Sequence, residues 1–302
     1  MNQRDAAKNG TATPSLTRPS FDALSLRGWL AHLSATGRIA TIAIPVALKH
    51  ELAAVAKRLD GKQAAVFLAP GGHDMPVVSG FMSRRAWIAE AMGVLEKDLL
   101  QRFRDAADHP LPWKEVPAGE AACQQVVHTS GIDLHALLPI PTHSEHDSGP
   151  YITAGLVIAR NPRTGVQNVS INRIQVHARD RMAILLLPRH LHAFQKTAEA
   201  AGDALDIAVA IGVDPLTMLA SQAISPIDFD ELEIAGALHG APLPVVKCVT
   251  NEVRVPAFAE IVIEGRILPD VREAEGPFGE FPKYYSAQEA REVIEVTAVT
   301  HR

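Results

Sequence analysis

The fold class of this chain follows from residues 155–176, which read Gly155-Leu-Val-Ile-Ala-Arg-Asn-Pro-Arg-Thr-Gly-Val-Gln-Asn-Val-Ser-Ile-Asn-Arg-Ile-Gln-Val176. Two runs, 155–160 and 166–176, are rich in Val and Ile, which is typical of strands. Between them, Asn161-Pro-Arg-Thr-Gly165 carries the residues that favour a tight turn. The pattern predicts a β-hairpin.

The same half of the chain continues to alternate between strand and helix patterns. Further strands are predicted at 183–187, 206–212, 244–250, 259–265 and 293–300. Helices are predicted at 190–201, 215–220 and 230–238. Because strands dominate and their spacing is regular, we expect a closed or partly closed β-barrel with helical insertions.

The first part of the chain shows a different alternation. Ser25 can cap a helix that carries Leu26, Leu30 and Leu33 and ends before Gly37. Later elements are predicted as a strand at 39–44, a helix at 47–59, a strand at 64–68, and a helix capped by Ser83 that ends near Gly93. This alternation predicts a small α/β layer domain, so the chain as a whole is α+β.

A connector with three prolines, His109-Pro-Leu-Pro-Trp-Lys-Glu-Val-Pro117, separates the two parts. Such a segment is a natural domain boundary. We therefore expect an N-terminal α/β domain over 21–120 and a barrel domain over 121–302. Residues 1–20 are polar and lack an apolar core, which predicts a disordered tail rather than a signal peptide.

Composition excludes several functional classes. The 302 residues carry a formal net charge of −5 with no basic stripe, which argues against nucleic acid as a partner. Only Cys123 and Cys248 occur, without CxxC spacing, so neither a disulfide framework nor a thiolate zinc site is indicated. No apolar run approaches the roughly 18–20 residues of a membrane span. We expect a soluble cytoplasmic protein without a membrane partner.

Two carboxylates flank a turn in Glu275-Gly-Pro-Phe-Gly-Glu280. Gly276 and Gly279 permit unusual dihedrals and Pro277 fixes its own φ, so the loop should bend sharply. Such a bend can direct both acids into one cavity, where two carboxylates cannot both ionise easily and one can act as a proton donor. The alternative is a surface turn with two solvated acids.

Three polar residues in the second half form a candidate metal site. Asn168 lies in a strand pattern, His190 opens a predicted helix, and Glu231 begins another. An amide oxygen, an imidazole and a carboxylate suit a divalent ion such as Mn²⁺ or Mg²⁺. The alternative is a hydrogen-bonded core histidine and a solvated glutamate at a helix start.

Arg173 is an unusual residue in its strand, because Ile171 and Ile174 flank it. If the position is buried, the guanidinium needs a carboxylate or a phosphate. Strict alternation places Arg173 and Asn168 on opposite faces, so one site that uses both requires a bulge or a strong twist. The alternative is a solvated arginine on an edge strand.

Taken together, these motifs resemble those of the UbiD-like decarboxylases, which use prenylated FMN. The similar segments are Asp147-Ser-Gly-Pro-Tyr-Ile-Thr153, Asn161-Pro-Arg-Thr-Gly165, Asn168-Val-Ser-Ile-Asn-Arg173, Glu231-Leu-Glu-Ile-Ala-Gly236, Val255-Pro-Ala257, residues 260–265 and Glu275-Gly-Pro-Phe-Gly-Glu280. The resemblance runs in order from about residue 24 to residue 302. It implies a split, flavin-reductase-like β-barrel for the second domain.

The resemblance also implies roles for individual residues. Asn168, His190 and Glu231 would hold Mn²⁺ or Mg²⁺ at the flavin phosphate, and K⁺ would lie beside them, near the carbonyls of Val169 and residues 221–223. The catalytic network would be Arg173, Glu275 and Glu280. Cofactor contacts are implied at Thr153, Ser170, Ile171, Asn172, Arg173, Arg189, His190, Ser221, Gln222 and Glu231.

The implied reaction is reversible, non-oxidative decarboxylation of an aromatic, heteroaromatic or α,β-unsaturated acid through a covalent adduct with prenylated FMN. Glu280 would donate the proton, while Arg173 would anchor the substrate carboxylate and keep Glu275 charged. Arg189 and Asn172 would make the pocket polar, which suits a heteroaromatic or hydroxylated acid. A flavin prenyltransferase would supply the cofactor.

Members of this family usually carry a further α/β domain after the barrel. Because this sequence ends at Arg302, we expect that domain to be absent. The family is expected to form homo-oligomers, with a monomer as the alternative for this form. Two other functions stay open: a flavin-binding split-barrel oxidoreductase, although no GxGxxG motif supports a nicotinamide site, and a catalytically inactive truncated form.

Overall fold

The computed structural model describes residues 22–302, so the predicted tail over 1–20 lies outside the described residues. The helices are α1 (Leu26–Ala35), α2 (Glu51–Leu59), α3 (Arg85–Met92), α4 (Leu99–Asp108), α5 (Leu134–Leu137), α6 (His190–Ala200), α7 (Pro215–Ala220) and α8 (Glu231–His239). The strands are β1 (Ile39–Ile42), β2 (Ala64–Phe67), β3 (Val77–Ser79), β4 (Lys114–Glu115), β5 (Val126–His128), β6 (Tyr151–Ile152), β7 (Leu156–Arg160), β8 (Gln167–Ile171), β9 (Ile174–Val176), β10 (Arg181–Ile184), β11 (Leu205–Ile211), β12 (Pro244–Lys247), β13 (Arg254–Pro256), β14 (Ile261–Glu275), β15 (Phe278–Gly279), β16 (Tyr285–Ser286) and β17 (Glu289–His301).

The first layer is a small sheet with helices packed around it. Strands β1 and β2 are parallel, and β3 pairs with β2 in the antiparallel sense. The Ser25 hydroxyl accepts a hydrogen bond from the Gly28 amide at 3.1 Å and caps α1 as predicted. The predicted cap of α3 by Ser83 is wrong: Arg84 occupies the N-cap without a side-chain bond, and the buried Ser83 hydroxyl has no partner among the described residues.

Helix α2 begins at Glu51, four residues after the predicted start at residue 47. The backbone before Glu51 pairs with Thr142 instead. The His50 amide donates to the Thr142 carbonyl at 2.9 Å, and Lys49 forms a parallel bridge with Thr142. A backbone held in an extended bridge cannot also begin a helix. The second part of the chain therefore sets the start of this helix.

The second part is a nine-stranded curled sheet with the order β6-β9-β10-β17-β14-β11-β7-β8, to which β5 adds by pairing with β17. The predicted hairpin is confirmed, since β7 and β8 are antiparallel. The predicted single strand over 166–176 is wrong: it breaks at Asn172 and Arg173 into β8 and β9.

This break explains the curl of the sheet. Strand β8 ends the strand order and β9 lies next to its opposite end, yet only two residues connect them. Three Cα–Cα steps from Ile171 to Ile174 span at most about 11 Å. The sheet must therefore curl until its two edges nearly meet, which is the half-barrel form of a split barrel. The expected α+β class, an N-terminal layer followed by such a barrel, is confirmed.

Strand β7 contributes to two hydrophobic cores. Leu156 and Ile158 pack in one cluster with Trp29 of α1, whereas Val157 packs in a second cluster with Phe194 of α6. A strand that is buried on both faces has a continuous apolar sequence rather than an alternating one. The N-terminal layer is thus fixed against one face of the barrel sheet.

The proline-bearing connector contributes to the fold. Its strand β4 pairs in parallel with β12, which also pairs with β13. The predicted domain bounds stay a prediction.

Cys123 and Cys248 are both free and buried. No helix within residues 22–302 has the length and apolar character to cross a membrane.

A buried contact between Asp214 and His239 joins α7 to α8. Asp214 is the N-cap of α7, and its Oδ1 accepts from the amides of Leu216 at 2.9 Å and Thr217 at 3.0 Å. His239 Nε2, in the last turn of α8, lies 3.0 Å from the same oxygen. Burial alone would raise the pKa of Asp214, but His239 and the donors of Thr217 outweigh it, so the pKa lies below its usual value.

We expect Asp214→Asn to lower the free energy of unfolding by about 1–3 kcal/mol at pH 7, because the cap remains while the carboxylate's interactions with His239 and with the Thr217 hydroxyl are weakened. A lowered folded-state pKa means that the stabilisation is present above about pH 4, the unfolded value, and is lost as the pH falls through the folded-state pKa. Urea unfolding between pH 3 and pH 7 measures this. Asp98→Asn is the matched control, because the Asp98 side chain makes no cap bond; a pH-independent difference for Asp214→Asn would contradict the expectation.

Candidate active site

Arg173 lies where the barrel closes. Its neighbour Asn172 holds the two-residue link, because the Asn172 oxygen accepts from the Ser170 hydroxyl at 2.9 Å and its amide group donates to the Leu185 carbonyl at 3.0 Å. Both ends of this amide are therefore occupied within the protein. The break in the strand releases Arg173 from the strict alternation that would direct it away from the barrel site.

Arg173 binds both acids of the 275–280 loop. Its Nε donates to Glu275 Oε1 at 2.9 Å and Nη2 donates to Glu275 Oε2 at 2.8 Å, which is a bidentate pair. Nη1 donates to Glu280 Oε1. Burial lowers the pKa of Arg173, but the hydrogen bonds and charges of the two carboxylates outweigh it and raise this pKa overall. The predicted surface turn with two solvated acids is not what the structure shows.

The two carboxylates differ in exposure. Glu275 is fully buried, whereas the Glu280 side chain is 33 % exposed. The Phe278 ring lies under the guanidinium, with 5.3 Å between Arg173 Cζ and the ring centroid. The Tyr151 ring packs on Phe278, and its hydroxyl donates to Glu275 Oε1 at 3.0 Å. Glu275 is thus fully buried beside the Tyr151 hydroxyl, and Glu280 is partly exposed.

The loop conformation requires both glycines. Gly276 has φ +89°, and a Cβ there would lie 2.8 Å from the Ala287 carbonyl oxygen. A Cβ on Gly279 would lie 2.9 Å from Ser144 Oγ. The Gly279 amide donates to Asp147 Oδ1 at 2.8 Å, which joins the loop to the motif before β6. The sharp bend predicted from Gly276 and Gly279 is present.

A second polar cluster surrounds Glu231, the first residue of α8. The carboxylate is 2 % exposed and accepts from the Val169 amide at 2.7 Å, the Ser225 hydroxyl at 2.7 Å and the Asn168 amide group at 3.2 Å. Among residues 22–302, no Lys, Arg or His forms an ion pair with it. Burial raises the pKa of Glu231 to about 7 in spite of these donors. This is a buried carboxylate that lacks a cation.

His190 and Arg189 stand at the start of α6, which packs against β7 and β8. Neither side chain bonds to another residue in the described part of the chain, and no direct bond joins His190 to Asn168 or Glu231. The structure therefore brings Asn168 and Glu231 together, whereas the imidazole of His190 is bonded to neither of them. No group of three His, Cys, Asp or Glu side chains that could hold a metal occurs among residues 22–302.

The remaining predicted cofactor residues lie on different parts of the barrel. Ser221 and Gln222 follow α7, and Gln222 Nε2 donates to Ser221 Oγ at 3.1 Å. Ile171 and Ser170 are half-buried at the end of β8. Thr153 lines an open cleft of about 1450 Å³ between the N-terminal layer and the barrel. Their roles stay predictions.

Sequence comparison identifies the two parts of the chain. Residues 30–107 match the N-terminal domain of 3-octaprenyl-4-hydroxybenzoate carboxy-lyase, and residues 114–302 match the Rift-related domain of the same family. The chain belongs to the UbiD family. The resemblance found in the sequence is thereby confirmed.

Known UbiD relatives support this assignment over most of the chain. Anhydromevalonate phosphate decarboxylase of Methanothermobacter thermautotrophicus is 41 % identical over 221 residues, which are 73 % of this chain and 51 % of that protein. The UbiD-class enzyme HmfF of Pelotomaculum thermopropionicum, in an evolved dimeric form bound to prFMN, is 50 % identical with a TM-score of 0.91, over 92 % of this chain and 65 % of that one. Vanillic acid decarboxylase of Sedimentibacter hydroxybenzoicus in its closed form is 31 % identical with a TM-score of 0.88, over 92 % and 62 %. The chain thus spans about half to two thirds of the length of these relatives.

Sequence reasoning missed two partners of the UbiD site residues. Tyr151 lies within the quoted motif before β6, but nothing in the motif indicated that its hydroxyl would reach Glu275 across the barrel. Ser225 binds Glu231 from a loop between α7 and α8 that has no distinctive pattern. Only the folded chain shows which hydroxyl lies near which carboxylate.

Proposed function

We propose that this protein catalyses the reversible, non-oxidative decarboxylation of an aromatic, heteroaromatic or α,β-unsaturated carboxylic acid. The observation that carries the proposal is a single guanidinium, Arg173, held by one fully buried carboxylate and one partly exposed carboxylate. A site of this kind can bind a substrate anion and supply a proton beside it. Membership of the UbiD family supports the same reaction class.

Arg173 retains donors for a substrate. A guanidinium has five N–H groups, and three of them bind Glu275 and Glu280. One N–H on each terminal nitrogen remains, and together they can bind the carboxylate of an incoming acid. Because the Phe278 ring covers one face of the guanidinium, water is excluded there and the interaction is strengthened.

Glu280 is the proposed proton donor. Its partial exposure leaves it accessible from the substrate side, while Glu275 is enclosed. Loss of CO₂ leaves negative charge on carbon, and the reaction ends only when a proton reaches that carbon. A positioned carboxylic acid supplies this proton without a diffusive encounter.

The residues present fit a metal-tethered flavin. The buried carboxylate of Glu231 lacks a cation, the Asn168 side chain adjoins it, and the His190 imidazole is free of protein partners in the described part of the chain. These three groups would hold Mn²⁺ or Mg²⁺, with K⁺ near the Val169 carbonyl and residues 221–223. The guanidinium of Arg189 would bind the cofactor phosphate. When bound, prenylated FMN would supply the electron sink that decarboxylation needs.

Two of the structural neighbours support a hydroxylated aromatic acid as the substrate. Structural neighbours include decarboxylases of vanillic acid and of 3,4-dihydroxybenzoic acid. A hydroxylated or heteroaromatic acid fits the polar character expected from Arg189, whereas Asn172 is already bonded within the protein at both ends. We further propose a flavin prenyltransferase as the cofactor source and a homo-oligomer as the assembled form.

Co-expression with a flavin prenyltransferase tests the proposal. The purified protein should carry prenylated FMN and stoichiometric Mn²⁺, measured by absorption spectroscopy and elemental analysis, and should release CO₂ from a member of a panel of hydroxylated and heteroaromatic acids. Plain FMN that NADH reduces without CO₂ release would indicate an oxidoreductase instead. Protein without flavin or metal would indicate an inactive form.

Replacing Glu280 with glutamine should lower the turnover number by ~10²–10⁴-fold, because glutamine keeps the shape of the side chain and cannot donate a carboxylic proton. Flavin and metal contents should not change. Glu289→Gln on β17 is the matched control, since Glu289 is exposed and bonds only to Arg291. Unchanged turnover in Glu280→Gln would remove Glu280 from the role of donor.

A further inference from the structure

Decarboxylation of a carboxylate consumes one proton in each turnover, because the product gains hydrogen where CO₂ leaves. In the proposed function Glu280 gives up that proton, and Arg173 is then left with two charged acids, one of them fully buried. Two negative charges on one buried guanidinium are unfavourable. The network therefore needs a proton while the substrate still covers the exposed side of Glu280.

Two hydroxyl groups connect the buried acid to solvent, because the second of them belongs to an exposed residue. The Tyr151 hydroxyl lies 3.0 Å from Glu275 Oε1, and Ser148 Oγ lies 3.1 Å from the Tyr151 hydroxyl. Tyr151 is 1 % exposed, whereas Ser148 is exposed. Ser148 also lines a separate pocket of about 400 Å³, together with Gln288 and His177. This pocket is distinct from the large cleft that Tyr151 and Thr153 line.

We propose that Ser148 and Tyr151 form a proton path that connects Glu275 to solvent in this outer pocket. The proposal rests on the proposed function for its role in turnover. The path opens at Ser148 into the outer pocket, so the network can take up a proton there while product is still bound at Arg173.

The transfer moves one proton from water in the outer pocket to Glu275 and leaves both hydroxyl groups unchanged. The O–H bond of Tyr151 breaks as its proton moves to Glu275 Oε1, and the phenolic oxygen takes the proton of Ser148 Oγ, which takes one from water in the outer pocket. Both hydroxyls end as they began, Glu275 becomes neutral, and the solvent has lost one proton. The proton on Glu275 leaves Arg173 with Glu280 as its one charged partner. When product leaves, Glu280 takes a proton from the substrate side, and Glu275 returns its proton to the outer pocket through Tyr151 and Ser148.

Gln175 offers the tyrosine a second acceptor. The Tyr151 hydroxyl lies 3.1 Å from Gln175 Oε1, which also accepts from the Gly276 amide at 3.1 Å. The phenol has one proton and so can donate to only one of the two oxygens at a time. It can therefore turn from Glu275 to Gln175 once the carboxylate is protonated, which resets the path for the next proton.

The first experiment measures turnover of the cofactor-loaded protein in Tyr151→Phe and Ser148→Ala. Tyr151→Phe keeps the ring on Phe278 and removes only the hydroxyl. Each variant should lose about tenfold in turnover in dilute buffer, and small buffer acids such as imidazolium should restore it, while wild-type turnover should not depend on buffer concentration. Tyr285→Phe is the matched control, because the Tyr285 hydroxyl accepts from the His146 amide and touches neither carboxylate. A loss that buffer does not restore would show a packing role and overturn the proposal.

The second experiment does not require activity. Rapid-scan infrared spectroscopy after a pH jump should follow the carboxyl band of Glu275 in the cofactor-free protein, with Glu275→Gln identifying the band. The band should change about tenfold more slowly in Tyr151→Phe than in wild type. Equal rates, or no band that Glu275→Gln removes, would overturn the path. A slowed band in a protein that decarboxylates nothing would instead keep the path and reject the proposed function.

Discussion

Arg173→Ala is expected to lower the free energy of unfolding by about 3–5 kcal/mol and to abolish turnover. The cost arises because Glu275, which has no exposed surface, would lose the one cation that pairs with it among the described residues, and would then have to keep an unpaired buried charge or take up a proton. The same change removes the donors that bind the substrate carboxylate. Urea unfolding of the cofactor-free protein at pH 7 measures the first effect, and CO₂ release by the loaded protein measures the second.

Two further variants distinguish a buried charge from lost packing. Arg266→Ala is the matched control, because the Arg266–Glu295 pair is exposed and should contribute only about 0–1 kcal/mol. The double variant Arg173→Ala/Glu275→Gln should recover much of the lost stability, since a neutral amide has no charge to compensate. If the double variant were as unstable as Arg173→Ala, the packing of the arginine stem rather than the buried charge would be responsible.

Much of the fold could be predicted from periodicity. Helix α7 has the predicted bounds, and β7, β11 and β14 all begin within two residues of prediction. These elements have long apolar faces whose local pattern and tertiary packing agree. The cap of α1 by the Ser25 hydroxyl could also be predicted, because a cap depends on residues only three positions away.

Other features depend on contacts that are distant in sequence. The break between β8 and β9 lies inside a continuous β-like pattern, and only closure of the barrel requires it. The Thr142 bridge that delays α2 lies more than 90 residues from it in the chain. Helix α4 was missed although its apolar residues pack on α8, because its sequence is strongly polar overall.

In the candidate site, too, some features could be predicted from the sequence and others depend on distant contacts. The spacing of Glu275 and Glu280 predicted two acids directed into one place, and both bind Arg173. The pattern could not show which acid would be buried, because that depends on Phe278 and Tyr151, which come from different strands. A hydrogen bond joins Asn168 to Glu231, while the shared metal ion that the resemblance implies for them stays a prediction. The hydroxyl of Ser225 that binds Glu231 was not anticipated.

Glu231→Gln is expected to lower the affinity for Mn²⁺ with little change in the free energy of unfolding of the metal-free protein. The affinity for Mn²⁺ should fall by at least about 100-fold, since the substitution replaces a charged ligand with a neutral one. The stability of the metal-free protein should change little, because the removal of a buried carboxylate that has no cation partner among the described residues offsets the loss of a bond from Val169 or Ser225. Isothermal titration with Mn²⁺ and urea unfolding in the presence of a chelator measure the two effects separately.

Glu233 lies on the same helix as Glu231 and is its matched control. Glu233 is only half-buried and is bonded to neither Asn168 nor Ser225, so Glu233→Gln should change neither Mn²⁺ affinity nor stability. If Glu231 is a structural residue and not a ligand, its replacement would weaken the fold with and without metal, because nothing would offset the lost bonds from Val169 and Ser225. Unfolding of Glu231→Gln at lower urea than wild type in chelator, together with unchanged Mn²⁺ titration, would therefore identify Glu231 as a support of the barrel and remove it from the metal site.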